Sequence, residues 1–147
     1  MSPLHCRDVD SAIADETAAK ADYNGKTNTT AIIAGYAALG KDMDSKDMCK
    51  VLETYNEGGY TDWYIPAAGQ LYEFYTNRTA INEALTAISG NAFSTADDYW
   101  SSTEKYFYYA WFMNFSNGYV SSHSKGECDY VRFVRDYNEG DFGTIDL

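Results

Sequence analysis

The sequence predicts an α+β domain in which several helices come first and pack on a short, twisted antiparallel sheet. Two observations carry this. Up to Ile88, apolar residues recur at helical spacing, between turn signals rich in Asn, Asp and Gly. From Tyr99 to Tyr137 the periodicity changes to strand alternation around a Ser116-Asn117-Gly118 turn, and Asn and Gly tolerate the positive φ such turns need. At 147 residues the chain suits one domain with its own core.

Residues 1–26 form a weakly patterned lead-in. The Ala-rich Ser11–Ala21 is either a helix or partly ordered, and Asp22-Tyr23-Asn24-Gly25 is a turn signal. The main domain spans 27–137. Thr27 or Asn28 is expected to cap a helix that buries Ile32, Ile33, Tyr36 and Leu39 and stops at Gly40. Asp44 is expected to cap the next, with Asp47 in its first turn and Met48, Cys49, Leu52 and Tyr55 as its apolar stripe. Asn56–Gly59 ends that helix, and Thr61–Ile65 should be extended. Pro66 suits the first turn of a third helix, lined by Leu71, Tyr72, Phe74 and Tyr75. Asn77 or Thr79 starts a fourth, stacking Ile81, Leu85 and Ile88. Asn91–Asp98 is a loop, and residues 138–147 are an acidic, loosely held tail.

In the sheet, Trp111, Met113 and Phe115 share one face, and Ala110, Phe112 and Asn114 the other. Val120 and Ser122 face one way; Tyr119, Ser121 and His123 face the other. We expect one packed face, with Trp63, Trp100 and Trp111 as scaffold. The second face and the loops hold a density of Tyr, Phe, Ser and Gly typical of a binding surface, because Tyr gives contact area at low rotamer cost. A buried Tyr106-Phe107-Tyr108-Tyr109 is the bland alternative. A core run favours Val, Ile and Leu, and none of these occurs between Lys105 and Gly118.

The motifs Gly58-Gly59-Tyr60-Thr61-Asp62-Trp63-Tyr64-Ile65-Pro66, Tyr99-Trp100-Ser101-Ser102-Thr103, Trp111 and Val131-Arg132-Phe133-Val134-Arg135 resemble the family named for the C-terminal domain of a Legionella collagen-like protein. The resemblance covers about Asn24–Tyr137 and implies a C-type-lectin-like fold. Many members resemble variable proteins of diversity-generating retroelements of gut bacteria and their phages. Such retroelements mutate template adenines, which turns AAY codons into NNY codons. The ligand-binding, variable positions so implied are Tyr106, Phe107, Tyr108, Tyr109, Phe112, Tyr119, Ser121, Ser122, His123, Ser124, Gly126, Cys128 and Asp129, and NNY encodes every one. Lys105, Met113, Lys125 and Glu127 lie among them, are not encodable by NNY, and should be fixed. The implied function is a hypervariable receptor-binding or adhesin protein that takes a cell-surface protein or glycan. The alternative is a pilus-tip or virion-decorating domain whose aromatic patch is a subunit interface.

Other chemistries find little support. A formal net charge of -11 repels phosphate backbones, which argues against nucleic acid. No apolar run reaches the ~20 residues needed to span a bilayer. Met1–Asp10 has no hydrophobic h-region, so no secretory signal is expected there; a cell-surface or virion-surface location, as a fragment of a longer protein, is nonetheless the expectation. His5 and His123 lack recognisable catalytic partners, and Asp97-Asp98 and the Glu139/Asp141 pair suit solvated charge. Formylglycine-generating enzymes share the lectin-like fold, but Cys6, Cys49 and Cys128 are scattered and form no cysteine active site. The odd cysteine count argues against a disulfide framework, with a Cys6–Cys49 bridge as the exception to consider. Asn117, Glu127 and Asp129 are oxygen donors without a calcium-lectin run, so no metal, no cofactor and no enzymatic activity are expected.

Overall fold

The computed structural model describes residues 12–40, 42–43, 45, 47–127 and 129–138. Among them are five α-helices: α1 (Glu16–Lys20), α2 (Gly25–Ala38), α3 (Met48–Leu52), α4 (Ala68–Thr76) and α5 (Arg78–Ala87). A 3-10 turn spans Glu57–Gly59. Strands β1 (Asp98–Tyr106), β2 (Tyr109–Asn114) and β3 (Val120–Ser124) form an antiparallel sheet in the order β1-β2-β3. The α+β class is as expected.

Strand alternation divides the side chains as the sequence predicts, but both faces of the sheet are packed. Trp111, Met113, Phe115, Val120 and Tyr99 meet Ala19, Ala68, Leu71 and Phe93 on one side. Trp100, Ala110 and Phe112 meet Ile32, Tyr36, Met48, Cys49, Ile65 and Phe133 on the other. The expectation of one packed face is therefore corrected. The apolar stripes of α2 and α3 need a surface to bury against, and α4 already covers the Trp111 face. The three tryptophans pack as scaffold: Trp100 and Trp111 are buried, and Trp63 is half-buried against the Phe133 core.

The early segment is stitched to the sheet. Ile13 N–H donates to Glu104 O at 2.8 Å, and Trp111 Nε1 donates to Ile13 O at 2.7 Å. Asp22 is buried, and its carboxylate accepts from Asn24 N, Asn28 Nδ2 and Thr103 Oγ1 at 2.8–2.9 Å. This carboxylate starts α2 at Gly25, ahead of the expected Thr27 or Asn28 cap. A Cβ at Gly25 would lie 2.8 Å from both Ala67 N and Ile65 O, so only glycine lets α2 approach this closely.

Other boundaries also differ. Asp47 is the N-cap of α3, accepting from Cys49 N at 2.9 Å; Asp44 lies outside the described residues. Pro66 precedes the N-cap Ala67 of α4 and offers its carbonyl to Ser102 N at 2.9 Å. Leu39 and Ile88, expected in the core, are exposed because each follows its helix as the C-cap, where the chain turns away. Tyr64 and Val134 pair as an isolated antiparallel bridge, which ties the extended 61–65 segment to the C-terminal run.

Candidate functional site

The β1–β2 hairpin tip holds the densest group of the expected binding residues. Tyr106 pairs with Tyr109, leaving Phe107 and Tyr108 at the turn. Tyr106, Tyr108 and Tyr109 are 51%, 67% and 45% exposed. The Phe107 and Tyr108 rings meet edge-on with centroids 4.1 Å apart. Ser124 pairs with Tyr109 from β3, and Gly126 is exposed just beyond it, so both join this surface.

The tip is held from outside itself. Lys125 is 3% exposed and forms an ion pair with Glu104 of β1. Its backbone N–H donates to Tyr108 O at 2.7 Å. Two-residue hairpin turns commonly demand positive φ and hence Gly or Asn. Among the described residues, Ser89 is the one non-glycine with positive φ, so no residue of this tip takes that conformation. The turn backbone therefore accepts any L-side chain. Met113 and Lys125, expected to be fixed, are both buried.

A second group lies along β3 and after it. Ser121 and His123 are half-buried on the Phe112 side, with the His123 ring 3.8 Å from the Phe112 centroid and 6.0 Å from that of Trp100. His123 Nδ1 is 3.1 Å from Asp129 Oδ2. Burial pushes the Asp129 carboxyl above the usual range, and the hydrogen bond from His123 opposes that shift. Ser122 turns to the other face, where Lys105 Nζ donates to its Oγ at 3.1 Å.

Two expected residues stand apart from both groups. Phe112 is 5% exposed and belongs to the core, because α2, α3 and Phe133 cover its face. Tyr119 is 58% exposed but sits beyond the far end of β2. That six-residue strand is about 17 Å long at the usual rise per residue. One continuous patch from Tyr106 to Tyr119 is thus not what the chain builds. Cys128 lies outside the described residues.

Sequence reasoning missed Tyr130 and Asp98. The Tyr130 backbone is structural: Trp100 N donates to Tyr130 O at 2.8 Å, and Tyr130 N to Asp98 O at 3.0 Å. Its side chain, however, is 59% exposed. Asp98 was read as loop charge, yet it opens β1 close to His123 and Asp129. No local signal marks either residue, because both owe their position to pairing between distant segments. Among the described residues no helix is long and apolar enough to cross a membrane.

The model of the Lcl C-terminal domain family matches residues 10–135. The chain belongs to the Lcl C-terminal domain family. The match includes the hairpin tip, the β3 group and most of the early segment stitched to Glu104 and Trp111. The family domain here is also similar in fold to a fimbrial protein from Bacteroides ovatus, solved by crystallography. The two share 21% identity and a TM-score of 0.56, over 76% of this chain and 24% of that one. The chain thus spans about a quarter of that protein's length. No curated protein matches the chain.

Proposed function

We propose that this domain is a surface-displayed, non-enzymatic ligand-binding module of adhesin or receptor-binding type, with a C-type-lectin-like fold. Its variable surface consists of Tyr106, Phe107, Tyr108, Tyr109, Ser124 and Gly126, continued along the sheet margin by Ser121, Ser122, His123 and Asp129. The ligand class is a protein or glycan on another cell or particle. The observation that carries this reading is the hairpin tip: three exposed tyrosines on a turn that needs no glycine, clamped by the buried Lys125–Glu104 pair. Exposed rings on a rigid support lose little conformational entropy on binding, which suits recognition. Family membership and the fimbrial fold neighbour favour a place on a cell or virion surface.

The NNY-encodable residues support diversification by a retroelement. The test is the flanking DNA: a near-repeat of the Tyr99–Tyr137 coding sequence, differing only at adenines and close to a reverse transcriptase gene, is expected. Its absence in a complete genome removes the diversification claim. For binding, the triple substitution Tyr106, Tyr108 and Tyr109 to Ser should abolish retention on a glycan array or cell panel that the parent recognises. Unchanged retention overturns the assignment of the tip. The second reading, a subunit interface, draws on the fimbrial description of the fold neighbour. It predicts an oligomer that persists on dilution in sedimentation experiments, whereas the binding reading predicts a monomer.

A further inference from the structure

Three metal-ligating side chains converge where the sequence offered no clustered donors. Asp98, His123 and Asp129 place one ligand atom each within 4.8 Å of one another. They come from three places in the chain: the start of β1, the C-terminal end of β3, and the segment that returns along β1 at Tyr130. Alternation puts Asp98 and His123 on the same face of the sheet, the one bearing Phe112.

We propose that Asp98, His123 and Asp129 form a binding site for a first-row divalent cation of the zinc type, held by one imidazole nitrogen and two carboxylate oxygens. The donor set selects the metal. Imidazole suits zinc and its neighbours, whereas calcium and magnesium favour all-oxygen shells. Three protein ligands around tetrahedral zinc leave one position open. With bonds of about 2.0–2.2 Å, ligand atoms around such an ion lie roughly 3.3–3.6 Å apart. The His123–Asp129 separation of 3.1 Å is already close to this, and Asp98 offers a carboxylate oxygen within 4.8 Å of both.

The surroundings orient the donors as supporting groups do in metal sites. Asn114 Nδ2 donates to Asp98 Oδ1 at 2.7 Å, fixing that carboxylate. The Phe112 ring, 3.8 Å from the imidazole, limits the rotation of His123. The Asp129 side chain is 15% exposed, so its carboxylate is held at the sheet margin rather than swinging in solvent. Charge adds a second argument. Two carboxylates this close repel one another on a chain of formal net charge -11, and a divalent cation between them reverses that repulsion. The site does not depend on any of these positions being variable.

The test uses the purified domain, stripped with a chelator and titrated with zinc chloride by calorimetry. One zinc per chain is expected, with a rise in melting temperature that equal calcium or magnesium does not reproduce. His123→Gln, Asp98→Asn and Asp129→Asn should each weaken zinc at least 10-fold, with the parent's circular dichroism retained. Cobalt(II) supplies an independent readout: the visible absorption of a low-coordinate nitrogen–oxygen site, lost in His123→Gln. If Asp129→Asn fails to fold, the other two variants decide. Absence of zinc binding overturns the proposal. So does zinc binding that the folded variants leave unchanged, since the ion would then sit on other residues.

Discussion

The two hairpins of the sheet are built from different residues and held in opposite ways. The β2–β3 turn, Asn114–Tyr119, is specified by its own side chains. Asn114 Oδ1 accepts from Ser116 N at 2.9 Å and Asn117 N at 3.2 Å, and Asn117 Oδ1 accepts from Tyr119 N at 2.9 Å. Gly118 sits at φ 76°, against the Tyr75 ring. Phe115 is buried there, stacked on Phe93 at 4.8 Å. The β1–β2 tip contains no Gly, Asn or Pro, and Lys125, just past the end of β3, fixes its backbone. A turn fixed by its own residues resists replacement. A turn fixed from elsewhere leaves its side chains open to change, and that is the arrangement a rewritable binding surface needs.

The largest effects should come from the shared core beneath both hairpins. Trp111→Ala and Phe112→Ala, one from each face of the sheet, should each cost about 3–5 kcal/mol in chemical denaturation. An unchanged melting curve for Phe112→Ala would return that residue to the exposed surface and restore a one-sided sheet. Next comes the clamp. Lys125→Met should cost about 3 kcal/mol, because it strands the Glu104 carboxylate in a largely buried site. Adding Glu104→Gln should recover part of that loss. If the single and double variants are equally stable, the pair does not hold the tip.

Turn substitutions sharpen the contrast further. Gly118→Ala should cost about 1–2 kcal/mol from the left-handed backbone, and more if the Tyr75 ring has to move. Tyr108→Ala, at the other turn, should change stability by under about 0.5 kcal/mol. The reverse order in a denaturant series would show that the tip specifies itself. The smallest stability change belongs to the tip tyrosines. Each of Tyr106, Tyr108 and Tyr109 to Ser should shift stability within about 0.5 kcal/mol, while each ring that anchors ligand is worth roughly 2 kcal/mol of binding. Coupled loss of fold and binding in these variants would favour the subunit-interface reading.

Much of this was legible in the chain. The alternation of Trp111, Met113 and Phe115 against Ala110, Phe112 and Asn114 follows from backbone geometry alone, and so does the Ser116-Asn117-Gly118 turn. The family motifs, the exposure of Tyr106 and Tyr108, and the packing of Met113 beside Trp111 were accessible in the same way. These features rest on local rules: period, turn chemistry and side-chain type. Tertiary packing decided the rest. Leu39 and Ile88 continue an apolar stripe but lie where their helices end, so nothing covers them. Phe112 is encodable as a variable residue and points away from Trp111, yet α2 and α3 bury it. Tyr119 is exposed as expected, but the length of β2 removes it from the other tyrosines. Asp98, His123 and Asp129 meet because distant segments pair along β1. A sequence determines which way a strand residue points through its own backbone. What waits on that side, helix, solvent or another donor, is supplied by the rest of the chain.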